Sequence, residues 1–130
     1  MSYEIRLTDD VDAWLDSLAH SDTPAYRLAV DTINRLEEQG PGLRRPLVGK
    51  IDGSSIVNLK ELRPRSTGTS ALRILFVFDP WRSAILLVAG DKVTEQPGNP
   101  DRWYDKAIPQ AEHAYQTYLA ERAEEEGQNR

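Results

Sequence analysis

Apolar and polar positions change period twice along this chain. Tyr3, Ile5 and Leu7 alternate with polar residues, the two-residue period of a short half-buried strand. The spacing then becomes helical. Val11, Trp14, Leu15 and Leu18 share one face, with Thr8 placed to cap them, and predict a helix to about Ala19. Thr23-Pro24 starts a second helix, with a hydroxyl at the cap and proline in the first turn. Its apolar face is Tyr26, Ala29, Val30, Ile33 and Leu36, and Gly40-Pro41-Gly42 stops it. Beyond that, Ile56 to Arg63, Ala71 to Phe78 and Ser83 to Ala89 read as strands. The last two are apolar on both faces, as expected of central, covered strands. Asp79-Pro80-Trp81-Arg82 is a short turn that pairs them antiparallel. Polar loops are expected over Arg63 to Ser70 and Val93 to Asp101, after which Pro109 opens a last helix with Ala111, Tyr115, Tyr118 and Leu119 near one face.

This order predicts an α+β fold: a twisted, mostly antiparallel sheet with an N-terminal helical hairpin packed on it and a C-terminal helix, the helices sharing one face. Residues 1–120 make one domain and 121–130 an acidic, flexible tail. Pairing Phe78 with Ser83 puts Arg73 opposite Val88 and brings Gly90 and Lys92 to its face. Pairing Arg63 with Ala71 adds Glu61 and Arg63, and a one-residue slip would remove them.

Charge sharpens the picture. The segment from Pro41 to Lys106 holds 11 basic and 7 acidic residues, a net of +4, inside flanks that bring the whole chain to −5. Lys60, Arg63, Arg65, Arg73 and Lys92 are spread along the predicted strands, and cations gathered in this way point to a polyanion. With no cysteine, disulfides, thiol catalysis and cysteine metal sites are excluded. No run approaches the roughly 20 apolar residues of a membrane span, and the start of the chain does not read as a signal peptide. A cytoplasmic protein without a membrane partner, cofactor or metal is expected.

Arg73 stands out because it interrupts Leu72-Arg73-Ile74-Leu75-Phe76-Val77-Phe78. A charge there costs free energy unless it is paired or reaches solvent. One reading is an ion pair with Glu61; another is a guanidinium held rigidly for phosphate; the two are compatible. His20 and His113 lie far in sequence from the cationic strands, and Ser54, Ser55 and Ser66 to Ser70 lack a triad partner. Trp81 sits at a turn tip, placed to meet a partner, and Trp103-Tyr104 could stack on bases or anchor the last helix.

Glu61-Leu62-Arg63, Leu72-Arg73-Ile74-Leu75-Phe76 and Leu86-Leu87-Val88-Ala89-Gly90-Asp91-Lys92, in this order, resemble the RelE/ParE superfamily of bacterial type II toxins, nearest its HigB-like branch. The resemblance implies a RelE-like fold and a metal-independent endoribonuclease, an mRNA interferase that cleaves mRNA on the ribosome with the RNA's own 2′-hydroxyl as nucleophile. It implies catalytic roles for Arg73 on the scissile phosphate and for Arg63, Lys92 and Tyr104. Lys60, Arg65 and Trp103 would bind RNA, and Asp91 is either a general base or a turn residue. The implied partners are mRNA, the ribosome and a cognate antitoxin, a helix-turn-helix protein from a neighbouring gene. The alternative is a non-enzymatic binder on the same fold, either a gyrase inhibitor or an inactive antitoxin-binding relative.

Overall fold

The computed structural model describes residues 2–66 and 68–128. Thr67 of the polar loop and Asn129 and Arg130 of the expected tail therefore lie outside the described residues. The first strand, β1 (Glu4–Leu7), and the helices α1 (Asp9–Ser21) and α2 (Thr23–Gln39) form where the periodicity placed them. Thr8 caps α1 by accepting the Val11 N–H at 3.2 Å, and Asp9, Asp10 and Asp12 lie at the favourable positive end of the helix dipole. For α2 the capping side chain is Asp22 rather than Thr23: its carboxylate accepts the Ala25 N–H at 3.2 Å. Gly40 ends α2 at φ +54°, and the Tyr3 ring fills the space where a Cβ would stand, so only glycine fits.

The described residues form a five-stranded sheet in the order β1, β5 (Ser83–Asp91), β4 (Leu72–Phe78), β3 (Lys60–Leu62) and β2 (Val48–Lys50). β1 runs parallel to β5, and the other neighbours are antiparallel. The short edge strand β2 carries no sequence period long enough to show it. Leu62, Leu72, Ile74, Phe76, Ala84 and Leu86 face the α1–α2 hairpin, where they meet Val11, Leu15, Ala25, Ala29 and Leu36. Fully burying a side chain such as Phe76 contributes about 1.5–3 kcal/mol.

The last helix covers the opposite face, which corrects the one-faced expectation. Leu75, Val77, Ile85 and Leu87 pack against Trp103, Ala107 and Ala111 of α4 (Trp103–Gln128). The physical reason is visible in β4 and β5: strands apolar on both sides need cover on both sides. α4 also begins before Pro109, because Trp103 and Ala107 continue the buried stripe of Ala111 at helical spacing. A short helix, α3 (Lys92–Glu95), and a 3-10 turn (Pro100–Arg102) occupy the loop before it.

No break in structure marks residue 120; α4 continues through 121–128. Arg122 ties this end to the sheet, with its side chain 7% exposed. It donates to the Tyr118 hydroxyl at 2.9 Å and to Glu126 at 2.7 Å, and lies 3.5 Å from the buried Asp79 carboxylate. Tyr118 donates to the same Asp79, whose other oxygen accepts the N–H groups of Trp81 and Ser83 and so closes the β4–β5 turn. The Arg122 guanidinium lies over the Trp81 ring, so that ring packs against the same network. Arg6 makes a paired contact with Glu125, 3.1 Å at each oxygen. No described helix is long and apolar enough to cross a membrane.

Candidate functional site

The sheet register gathers one group of charges on the α4 face. The turn pairs Phe78 with Ala84, one residue beyond expectation, and a bulge at Leu87 between the Phe76–Leu86 and Leu75–Val88 pairs adds a second. Arg73 therefore lies opposite Gly90 rather than Val88. Two single-residue errors leave the face unchanged, so Arg73 and Gly90 do share it. Likewise Glu61 pairs with Leu75 rather than with Arg73, again a shift of two that keeps Glu61 on this side.

Glu61 is the centre of the group. Its side chain is 4% exposed, and Arg73 Nε lies 3.0 Å and Arg63 Nε 3.7 Å from Oε1. The Tyr104 hydroxyl, from the first turn of α4, donates to Oε1 at 2.7 Å. A buried carboxylate is tolerated when cations and donors converge on it, and here both do. Neither arginine Nε–H is aligned to hydrogen-bond. Arg73, 19% exposed, spends one terminal nitrogen on the Leu72 carbonyl at 2.8 Å. The pairing is thus coulombic; with the Nε–H groups buried, only the terminal guanidinium nitrogens could meet an incoming anion.

Two glycines make room for this arrangement. On β2, a Cβ at Gly49 would overlap the Arg63 guanidinium; at Gly90 it would overlap Glu95 and the Trp103 indole nitrogen. We expect Gly49→Ala to leave the fold intact while pushing the flexible Arg63 head away from Glu61. Polyanion binding should fall with little change in the thermal midpoint, and a variant that binds as the parent does would show that Arg63 need not rest there.

Lys92 lies 5.2 Å from the centre of the Tyr104 ring and 3.4 Å from Asp101. Asp91 acts as a turn residue: its Oδ1 accepts the Ala71 N–H at 3.0 Å and the Val93 N–H at 3.1 Å, the latter capping α3. Burial alone would raise its pKa, but these bonds and those from Thr94 outweigh it and hold the carboxyl below its ordinary range, which makes it a weak base. Trp103 is not available for stacking. It is 5% exposed in the core under the sheet, and its indole N–H donates to Glu95 at 3.2 Å. Lys60 pairs with Phe76 and so belongs to the opposite face, while Arg65 lies beside Leu28, Asp31 and Arg35 of α2. The five strand cations thus divide: Arg63, Arg73 and Lys92 come together, and Lys60 and Arg65 do not join them. His20 Nδ1 is in contact with the Asp16 carbonyl on α1, and His113 is exposed on α4.

Burial, and then the bond to Glu61, push the Tyr104 pKa well above the ordinary tyrosine value, so the phenol keeps its proton at neutral pH. Tyr118 is raised in the same direction, by burial and by Asp79. A raised folded-state pKa means that the stability these protons contribute is complete below about pH 10 and is lost as pH rises further. Absorbance titration of phenolate should show both rings resisting ionisation, and Glu61→Gln should make Tyr104 ionise at lower pH. An unchanged curve in that variant would show that Glu61 does not hold the proton.

The family described as Phage derived protein Gp49-like (DUF891) matches residues 13–116. A Mycobacterium tuberculosis protein named "Putative toxin HigB2" is 45% identical over 111 residues, 85% of this chain and 52% of that protein, so the chain spans about half its length. "Putative toxin HigB3" of the same organism is 43% identical over 116 residues, 89% of this chain and 93% of that protein. No solved structure matches.

Proposed function

Because the chain belongs to the phage-derived Gp49-like family, we propose that it is the toxin of a bacterial toxin–antitoxin pair and a metal-independent endoribonuclease of the RelE/ParE kind, acting on mRNA at the ribosome in the cytoplasm. Identity to two relatives named as toxins supports the first part. One observation carries the second: two guanidinium groups held against one buried carboxylate, beside a lysine and a tyrosine whose hydroxyl donates to the same carboxylate.

The reaction is the one implied by the resemblance to the RelE/ParE toxins, and the residues of the set have roles in it. In that reaction the 2′-oxygen bonds to phosphorus and its proton passes to water, while the bond to the 5′-oxygen breaks and that oxygen takes a proton from water, giving a 2′,3′-cyclic phosphate and a 5′-hydroxyl. Charge builds on the phosphoryl oxygens, where Arg73 and Arg63 stabilise it. Lys92 lowers the cost of negative charge nearby. Tyr104, its proton retained, is no base; it orients Glu61 and walls the site. Asp91 is spent on backbone N–H groups, and neither histidine stands in the cluster to serve as a base. That favours a ribosome that orients the 2′-hydroxyl in line with the phosphate. The same shortage is the one point in favour of a non-enzymatic binder.

The proposed partners are mRNA, the ribosome and a helix-turn-helix antitoxin encoded nearby. Brief expression followed by mapping of cellular RNA ends tests the proposal: new 5′-hydroxyl ends at coding positions, suppressed by co-expression of the adjacent gene, are expected. Growth arrest without new RNA ends would move the reading to the binder.

A further inference from the structure

Lys50 and Lys60 are directly opposite one another across β2 and β3. Like charges in a cross-strand pair destabilise a sheet. Neither fold nor core accounts for them, since Lys50 is exposed and finds only the 90%-exposed Asp52 at 3.9 Å. Both lysines line a cavity of about 390 Å³ together with Arg44, Asn58, Leu43 and Val48. Asn58 stands at φ +63°, in the turn that leads into β3. Three cations therefore converge on one hollow at the open edge of the sheet.

The hollow is joined to the Arg63–Arg73 group through Gly49. This residue lines the cavity, and on the α4 side the Arg63 guanidinium covers it. β2 and β4 are two strand spacings apart, about 9.6 Å. An extended polyanion crossing the β2 edge would meet Arg73 and Arg63 first and the cavity next.

We propose that the Arg44–Lys50–Lys60 cavity is a second phosphodiester site, which grips the backbone of a single-stranded polynucleotide one or more nucleotides away from the phosphate held by Arg73. The inference rests on the proposed reading of the Arg73 cluster as a phosphate site. It gives Lys60 a place in RNA binding, on the far side of the edge strand. The ligand chemistry is a phosphate group, and the source argued for is a polynucleotide rather than free phosphate, because the two cationic groups lie on one path.

The test is anisotropy binding of 2′-O-methyl oligoribonucleotides, which cannot be cleaved, in a dinucleotide and a dodecamer length. The proteins are the parent, an Arg44→Gln/Lys60→Gln double variant, and Arg73→Ala. The double variant should lose affinity for the long probe on the order of tenfold, and the slope of log K against log salt should fall by about 1.4, or ~0.7 for each lost contact. Dinucleotide binding should be unchanged in it and reduced in Arg73→Ala. Parent-like binding and salt slope for the long probe would overturn this inference and leave the Arg73 reading standing. Equal loss with both probe lengths would also overturn it, since the cations would then belong to one site. Displacement of the long probe by inorganic phosphate at matched ionic strength would reassign the cavity to a free anion. If the parent binds neither probe, the Arg73 reading falls and this one with it.

Discussion

Under the proposed ribonuclease function, replacing Arg73 with alanine should lower RNA cleavage by about 10²- to 10³-fold, the usual cost of removing one preorganised donor from a developing oxyanion. Arg73 is rigid for structural reasons. It is carried on a central strand, held 3.0 Å from the buried Glu61, and bonded to the Leu72 carbonyl. On that proposal the loss should fall on kcat more than on KM, because the guanidinium would act most strongly on charge that exists only in the transition state. Alanine also leaves Glu61 with one cation fewer, so stability will fall as well. Arg73→Lys separates the two effects: it keeps a charge for Glu61 but loses the planar donor set. A folded Arg73→Lys protein with parent-like kcat would show that the guanidinium is not the phosphate-stabilising group.

The largest effect on stability is expected at Arg122. Its side chain is 7% exposed, and the Asp79 carboxylate it faces is fully buried. Removing one partner of a buried pair costs about 3–5 kcal/mol, because the other charge is left without compensation. Arg122→Met should therefore lower the urea midpoint markedly with an unchanged m-value, while Asp79 still caps the β4–β5 turn. The double variant Arg122→Met/Asp79→Asn should recover part of the loss, since the stranded charge is then gone. If the single variant unfolds at the parental midpoint, the end of α4 is not latched to the sheet through this network.

Much of the fold was legible because it is written in local periods. The β1 alternation, the two helical stripes and the doubly apolar β4 and β5 needed no tertiary information. So did the oddity of Arg73, since a charge in a seven-residue apolar strand is conspicuous from pattern alone. What was not legible depends on distant parts of the chain. β2 is three residues long, with a glycine at its centre, and is a strand only because β3 pairs with it. The Leu87 bulge has no sequence signature, and Arg73 falls on the expected face only because two single-residue shifts add to an even offset. The role of Glu61 was half visible: its pairing with Arg73 could be expected, but not that Arg63 and Tyr104 converge on it too. Lys60 belongs to the cationic run along the predicted strands, and the resemblance offers Trp103 as a stacking residue beside Tyr104. Strand parity sends Lys60 to the other face, and core packing buries Trp103.

Purified protein acting in chelator on one transcript, free and within translating ribosomes, tests the central claim most directly. Cleavage is expected to be faster on the ribosome, to leave 2′,3′-cyclic phosphate and 5′-hydroxyl ends, and to fall by about 10²- to 10³-fold with Arg73→Ala. Absence of cleavage in both settings, or ends bearing a 5′-phosphate, would contradict it.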